Sequence, residues 1–188
     1  MVLIENDSSI FHVTCVMHNS RVSQRMIDYH VKKGAAEFLS LEEERTLIQI
    51  LVDHIQIHQL HILALNLCAD HLHFVITCSA ESLNTIVGRM KSQTARAFNI
   101  WRGYTTPQTQ TRGHAPLSTR GTTQSSLWAQ KFNRVLIESD EQLQNTLHYI
   151  EYNRQKHGLQ PFPDHVLSLI KSTLNLPGSP AVNKIHDA

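Results

Sequence analysis

The sequence has 188 residues, of which 41% are hydrophobic, 18% charged and 6% aromatic, as expected for one globular domain with a core. Its 7 glycines and 6 prolines are too few for a fibrous or disordered chain, and no apolar run reaches the roughly 18 residues of a membrane helix. The first residues lack the basic and apolar segments of a secretory signal, and the 3 cysteines include no CxxC pair. We therefore expect a soluble, cytoplasmic protein without a disulfide framework.

The net charge of +1 hides an uneven distribution along the chain. Residues 1–81 carry a balance of −5 and residues 135–188 one of −2, whereas residues 82–134 carry +8 and no acidic residue. The basic residues of this block are Arg89, Lys91, Arg96, Arg102, Arg112, Arg120, Lys131 and Arg134. A block of one sign predicts a surface for a polyanion such as a nucleic acid, although a solvated helix face would explain part of it.

The first half of the chain predicts a strand, a helix and a hairpin. A short β-branched run predicts a strand over 10–17, and apolar residues three and four apart predict a helix over 42–58. Two further strands, over 61–67 and 71–78, are separated by Cys68-Ala69-Asp70 alone. So short a connection requires an antiparallel hairpin.

The second half predicts a helix over 83–101, a strand over 127–137 and a helix that begins at Ser139-Asp140 and ends near Gly158. Between them, residues 103–126 are rich in Thr, Gln, Ser and Gly and have no apolar period. We interpret them as a flexible basic loop, either functional or a simple insertion. Residues 1–160 would form the folded domain, and residues 161–188 a C-terminal tail. The tail has one short apolar run over 166–170, and we expect the residues after it to be weakly ordered.

The predicted order of strand, helix, strand, strand, helix and strand is that of a ferredoxin-like split βαβ sandwich, an α+β fold. Its antiparallel sheet would carry helices on one face, followed by one more C-terminal helix. The other face of the sheet would be free for a functional site.

His71 and His73 lie two residues apart on a predicted strand, so their side chains share one face while Leu72 and Phe74 point to the other. The apolar face must be the core, which leaves two imidazoles side by side on the open face. They could share one divalent cation, or they could be an ordinary pair of half-exposed histidines.

The last predicted helix adds a tyrosine and an asparagine. At 100° per residue, Tyr149 and Asn153 lie about 40° apart, and Tyr149 lies roughly 120° from the stripe of Leu143, Leu147 and Ile150. Tyr152 lies nearly opposite that stripe and should face solvent. A phenol becomes a useful nucleophile when a metal polarises the phosphate that it attacks, and Asn153 could place its amide oxygen on that metal. Taken alone, Tyr149 and Asn153 could equally be an exposed helical pair.

Together, the strand DHLHFVI and the helix segment YIEYN resemble the single-tyrosine HUH transposases of insertion sequences, and within them the REP-associated tyrosine transposases. The segments FHVTCVMHNSR, LALNLCADHLHFVI, MKSQTARAFN and LWAQKFNRVLIESDEQLQNTLHYIEYNRQKHGL have counterparts in the same order, so the resemblance covers most of residues 10–159. Two positions depart from the family pattern: Asp70 stands where Asn is common, and Arg154 where Pro is common among REP-associated members.

The resemblance implies a metal-dependent single-stranded DNA endonuclease and strand transferase that acts next to DNA hairpins. Tyr149 would be the nucleophile that forms a 5′-phosphotyrosine link. His71 and His73, with Asn153 as third ligand, would hold Mg²⁺ or Mn²⁺. The basic helix and loop would grip the hairpin and the adjacent single strand, so the protein would be nucleoid-associated and act as a monomer or a homodimer.

Alternative interpretations remain at this point. A ferredoxin-like sheet can be a non-catalytic nucleic-acid-binding module, although such sheets usually present aromatic side chains rather than histidines. A replication-initiator nuclease would need a helicase domain or a tyrosine pair, for which the chain offers no clear match. His54, His58 and His61 recur at helical spacing and are either surface histidines or a second metal site. Structural zinc at Cys68 and Cys78 with the HxH pair is disfavoured, because strand alternation turns Cys78 away from the histidines.

Overall fold

The structure is a computed structural model that describes residues 8–21, 27–30, 34–104 and 126–174. In chain order its elements are β1 (Ser8–Val16), α1 (Leu41–Ile57), β2 (Ile62–Leu67), β3 (His71–Ser79), α2 (Ala80–Trp101), β4 (Asn133–Ile137), α3 (Asp140–Lys156) and α4 (Asp164–Thr173). The predicted order of strands and helices is confirmed up to α3.

The four strands form one sheet in the order β2-β3-β1-β4, with β1 antiparallel to both β3 and β4 and β2 antiparallel to β3. Each of the two βαβ units therefore spans a strand of the other unit. This interleaving is the ferredoxin-like split βαβ arrangement expected from the sequence, and the α+β fold class is confirmed.

Strand alternation gives the sheet two unlike faces. The first face is apolar and packs against α1 and α2; from β1 and β3 it receives Phe11, Val13, Cys15, Leu72, Phe74 and Ile76. The second face presents His12, Thr14, His71 and His73 from the alternate positions of the same strands, because neighbours in register share a face. The sheet thus separates a hydrophobic core from a row of polar side chains.

The second face is covered, contrary to the expectation of an open face. Helix α3 lies over β2 and β3, and Ile150 packs there with Leu143 and Leu147 against Leu63 and Val75. The apolar stripe of α3 is the reason, since these three side chains leave water only by packing on the sheet. His71 and His73 are consequently buried rather than half-exposed.

Strand β4 is shorter than the predicted strand over 127–137. Trp128 forms only an isolated bridge with Met17, and the regular ladder begins at Asn133. The ammonium group of Lys91 donates to the carbonyl oxygens of Ala129 (2.7 Å) and Gln130 (2.9 Å), so these carbonyls are bound to α2 instead of a neighbouring strand.

The predicted loop over 103–126 and the predicted C-terminal tail have different outcomes. The loop over 103–126 lies mostly outside the described residues, since 105–125 are not among them. In the C-terminal tail, the short apolar run lies in helix α4, which packs on α1 and contributes Val166 and Ile170 to the main core. Residues 175–188, most of the part expected to be weakly ordered, lie outside the described residues. Its apolar residues recur at helical spacing, and burial against α1 stabilises so short a helix.

Within the described residues, no helix has the length and apolar character needed to cross a membrane.

Candidate active site

The two strand histidines meet beneath helix α3. His71 is 1% and His73 is 5% exposed, and the centroids of their rings are 4.9 Å apart. They point to the same side because they are separated by one residue on β3, as the sequence predicts. Two imidazoles are thereby held side by side in a region largely sheltered from water.

Each of these imidazoles has a protein partner at its Nδ1 atom. The Nδ1 of His71 lies 2.5 Å from Oδ1 of Asp70. The Nδ1 of His73 lies 2.9 Å from Nε2 of His12 and 3.0 Å from Oγ1 of Thr14, both on the neighbouring strand β1. Partners at Nδ1 fix the ring orientation and leave Nε2 as the nitrogen available to a metal.

Asn153 completes the cluster from α3. It is fully buried, and its Oδ1 lies 2.9 Å from Nε2 of His71 and accepts a hydrogen bond from the thiol of Cys68 at 3.0 Å. Among the described residues its Nδ2 has no hydrogen-bond partner. A buried amide with an orphaned donor costs free energy, which is typical of a side chain retained for function rather than packing.

The surroundings of His71 also bear on metal binding. The ring faces two acceptors, Oδ1 of Asp70 at one nitrogen and Oδ1 of Asn153 at the other. A neutral imidazole carries only one N–H, so both contacts are satisfied either by an imidazolium or by a cation shared between Nε2 and the asparagine oxygen. The donor set of two imidazoles and an amide oxygen therefore fits a divalent metal.

Tyr149 stands at the edge of this cluster, one helical turn before Asn153. It is 37% exposed, and its ring centroid lies 5.3 Å from that of His73 and 6.1 Å from that of His12. The ammonium group of Lys156 lies 5.1 Å from the centroid of the same ring. Tyr149 is thus accessible to a substrate while adjoining the buried histidines.

Tyr152 has a different environment. It is 48% exposed and its ring packs on His148, 4.4 Å away between centroids. The sequence expectation that Tyr152 faces solvent agrees with this position. Of the two tyrosines in the YIEYN segment, Tyr149 is the one whose ring contacts the strand histidines His12 and His73.

Burial shapes the protonation of these groups. Burial, followed by repulsion from His71 and His12, lowers the pKa of His73 to about 3. The pKa of His12 is also lowered, by burial. The hydrogen bond with His71 lowers the pKa of Asp70. Near neutral pH His73 is therefore an uncharged imidazole, the form that binds metals, and Asp70 is a carboxylate.

Polar contacts hold the C-terminal half of α3 in place. Asn66 of β2 donates to the carbonyl oxygen of Ile150 at 2.5 Å. Arg154, next to Asn153, is buried; it pairs with Glu44 of α1 at 2.9 Å and donates to the carbonyl oxygen of Leu67 at 2.7 Å. The arginine that departs from the family pattern thus anchors the helix beside Asn153.

A cleft of about 460 Å³ opens on the other side of Tyr149. It is bounded by His12 of β1 and by the first turns of α3, with Ser139, Glu141, Gln142, Asn145, Thr146 and Tyr149 as its remaining lining residues. Its volume lies within the roughly 300–1,000 Å³ of small-ligand sites. A substrate that reaches the tyrosine has room in this cleft.

The predicted basic surface is only partly available to a ligand. Lys91 is bound to backbone carbonyls, and Arg102 pairs with Glu37 and Glu43. Arg112 and Arg120 lie outside the described residues. The remaining four basic residues are exposed and lie on or near α2 and β4: Arg89, Arg96, Lys131 and Arg134.

The basic residues do not share a face with the histidines. Arg134 is opposite Val13 in the β1–β4 register, whereas the alternate position His12 belongs to the second face. Its guanidinium donates to Asn84 of α2 at 3.0 Å. Arg134 therefore lies on the same side of the sheet as Arg89 and Arg96 of α2, and a ligand that contacts both these residues and the histidines must pass around an edge of the sheet.

Sequence reasoning missed three neighbours of the cluster, His12, Thr14 and His157. The ring of His157 lies 4.9 Å from that of His71. His12 and Thr14 alternate with the apolar Phe11 and Val13, so the period of two was the available signal. His157 follows the end of α3, and nothing in the local pattern indicates its position.

The described residues contain no group of three or more His, Cys, Asp and Glu side chains placed to hold a metal. The cluster of His71, His73 and Asn153 contains only two such residues, since its third donor is an amide. The structure brings together all three predicted ligands and Tyr149.

Comparisons with known proteins give the family. The family described as Transposase IS200 like matches residues 25–153. A solved structure of a REP-associated tyrosine transposase bound to a REP hairpin aligns with 16% identity and a TM-score of 0.48, covering 81% of this chain and 70% of that one. A protein of Deinococcus radiodurans R1 classed as a transposase aligns with 14% identity and a TM-score of 0.43, covering 80% and 95%. No curated protein matches. Since the matched residues make up more than half of the 188 and include His71, His73, Tyr149 and Asn153, this chain belongs to the IS200-like transposase family.

Proposed function

We propose that this transposase is a metal-dependent single-stranded DNA endonuclease and strand transferase with Tyr149 as its nucleophile. The observation that carries the proposal is the contact of an accessible tyrosine with a buried pair of histidines that also adjoins Asn153. A tyrosine next to potential metal ligands suits attack on a phosphodiester, because the leaving alkoxide and the phosphoryl oxygens both need charge stabilisation.

In the proposed cleavage step, the Tyr149 oxygen attacks phosphorus and the bond to the 3′ oxygen breaks. The DNA 5′ end becomes linked to the tyrosine through the phosphate. The phenol loses its proton and the departing strand takes one up to become a free 3′-OH, so the step neither consumes nor releases a proton overall. A second 3′-OH reverses this exchange and joins two strands. The number of phosphodiester bonds is conserved, so joining requires no nucleotide cofactor.

His71 and His73 would hold Mg²⁺ or Mn²⁺ through Nε2, with Oδ1 of Asn153 as the third protein ligand. Nε2 of His71 and Oδ1 of Asn153 lie 2.9 Å apart, so these two donors face each other at one place. When bound, the metal would withdraw charge from the phosphoryl oxygens. His12, Thr14 and Asp70 would keep the two imidazoles in the orientation that this requires.

The DNA would contact two regions of the protein. The cleft beside Tyr149 would take nucleotides next to the scissile phosphate, and the exposed Arg89, Arg96, Lys131 and Arg134 would contact backbone phosphates of a hairpin. Since these regions lie on different sides of the sheet, the single strand would continue from the hairpin around the sheet to the cleft. Lys91 and Arg102 are assigned to structural contacts within this scheme.

A covalent-adduct assay tests the proposal. Labelled single-stranded DNA with a hairpin is incubated with the protein and Mn²⁺, and the products are separated under denaturing conditions. We expect an adduct that Tyr149→Phe and EDTA abolish and that Tyr152→Phe, the matched control, retains. If Tyr152→Phe lost the adduct and Tyr149→Phe retained it, the nucleophile would be Tyr152 and the proposal would be wrong about the tyrosine. Insensitivity to EDTA would contradict the metal, and absence of any adduct would favour a binding module without catalysis.

A further inference from the structure

A second cluster of potential metal ligands lies on the opposite side of the sheet, between α1 and α2. His54 and His58, one turn apart on α1, have ring centroids 4.4 Å from each other. The Nε2 of His58 lies 2.9 Å from Oε1 of Gln93 on α2. His54 is only 6% exposed, whereas His58 is half-buried and open to solvent on one side.

We propose that His54, His58 and Gln93 form a second site for a divalent transition metal such as Zn²⁺. Histidines four residues apart on a helix face can bind one zinc ion together. The amide oxygen of Gln93 supplies a third donor from the neighbouring helix. The donor set equals that of the cluster around His71, namely two imidazoles and one amide oxygen.

Position and charge define what this site would do. An ion here would connect α1 with α2, the two helices that cover the apolar face, and it would lie across the sheet from Tyr149. Arg89 is close enough to act electrostatically on His54, so it opposes the bound cation. We therefore expect a site of moderate affinity that prefers imidazole-binding metals to Mg²⁺, with a role in holding the helices rather than in catalysis.

The neighbouring His61 provides a matched control. It continues the same sequence spacing but is exposed and lies beyond the end of α1, immediately before β2. If zinc bound loosely to any surface histidine of this region, replacing His61 would weaken binding as much as replacing His58. If the ion binds between the two helices, replacing His54, His58 or Gln93 weakens binding and replacing His61 does not.

Calorimetric titration of the full metal-free chain with ZnCl₂ tests the site. In a His71→Ala background, in which the other cluster keeps only one of its two proposed imidazole ligands, we expect one remaining binding event. Adding His58→Ala should abolish it, adding Gln93→Ala should weaken it, and adding His61→Ala should leave it unchanged. The same outcome for His58→Ala and His61→Ala, or no event in the His71→Ala background, would overturn the proposal.

Adduct formation and thermal melting complete the test. His58→Ala alone should retain the Mn²⁺-dependent activity of the wild type, because its position is remote from Tyr149. Zinc should raise the melting temperature of the His71→Ala protein and leave that of the His71→Ala/His58→Ala protein unchanged. A zinc-induced rise of equal size in both proteins would contradict a site at His58 even if both are well folded.

Discussion

The two faces of the sheet differ in how they are closed. On the first face, α1 buries a row of aliphatic side chains against the strands. On the second face only three residues of α3 are buried, Ile150, Asn153 and Arg154, and two of them are polar. A face closed by apolar packing alone stabilises the domain, whereas a face that combines an apolar stripe with buried polar contacts can also hold ligands for a metal and a substrate.

Replacing His73 tests the polar face most directly. We expect His73→Ala to lower the rate of adduct formation at least about a thousandfold, since losing a metal ligand removes several kcal/mol of transition-state stabilisation. The rate is measured with hairpin DNA and Mn²⁺ on protein that a thermal melt shows to be folded. Nearly normal activity in the folded variant would exclude His73 as a ligand.

Phe74 is the next residue on the same strand and tests the apolar face. Its side chain is 1% exposed in the main core, so we expect Phe74→Ala to lower the free energy of unfolding by about 3–5 kcal/mol. Urea denaturation measures this loss. The fraction that remains folded at low temperature should still bind Mn²⁺ with unchanged affinity; a large loss of affinity would show that the two faces are not independent.

The contrast between His73 and Phe74 also shows what the sequence can predict. Alternation on β3 assigned each of them to its face, because a strand has a period of two and the apolar set must be buried. The angle between Tyr149 and the apolar stripe of α3 predicted that Tyr149 is not a core residue, and its 37% exposure agrees, whereas its place beside the histidines was implied by the family resemblance. Periodicity within an element is sufficient for such assignments.

Other features depend on contacts between elements and were not predictable in this way. The helix α3 that covers the histidines is also bound to α1 through the ion pair of Arg154 with Glu44, and the sequence gives no sign of this contact because the two residues are far apart in the chain. The occupation of Arg102 by Glu37 and Glu43 is equally non-local, although its charge alone suggested a DNA contact. The charge of a residue and the periodicity of its helix or strand indicate which way its side chain faces. They do not indicate which residue of another element it contacts.

Asp70 lies at the edge of the polar face and tests whether the orientation of His71 matters for metal binding. Its carboxylate orients His71 through Nδ1, so we expect Asp70→Ala to raise the Kd for Mn²⁺ by about 10–100-fold. Asp70→Asn, which restores the residue common in the family, keeps an oxygen that can accept from Nδ1 and should retain most of the affinity. Titration with Mn²⁺ compares the two, and equal losses would show that Asp70 acts by charge rather than by orientation.

The smallest expected effect on stability comes from the N-caps of α1 and α3, the helices that cover the two faces of the sheet. Ser139 caps α3 by accepting from the backbone N–H of Gln142 at 3.1 Å, and Ser40 caps α1 in the same way from Glu43 at 3.3 Å. Each serine-to-alanine change should cost about 1 kcal/mol. If α3 opens by itself, Ser139→Ala lowers the hydrogen-exchange protection of α3 amides about fivefold, and Ser40→Ala leaves it unchanged. Equal loss of protection in both variants would mean that α3 is released only when the whole domain unfolds, so that its polar contacts hold it as firmly as the apolar packing holds α1.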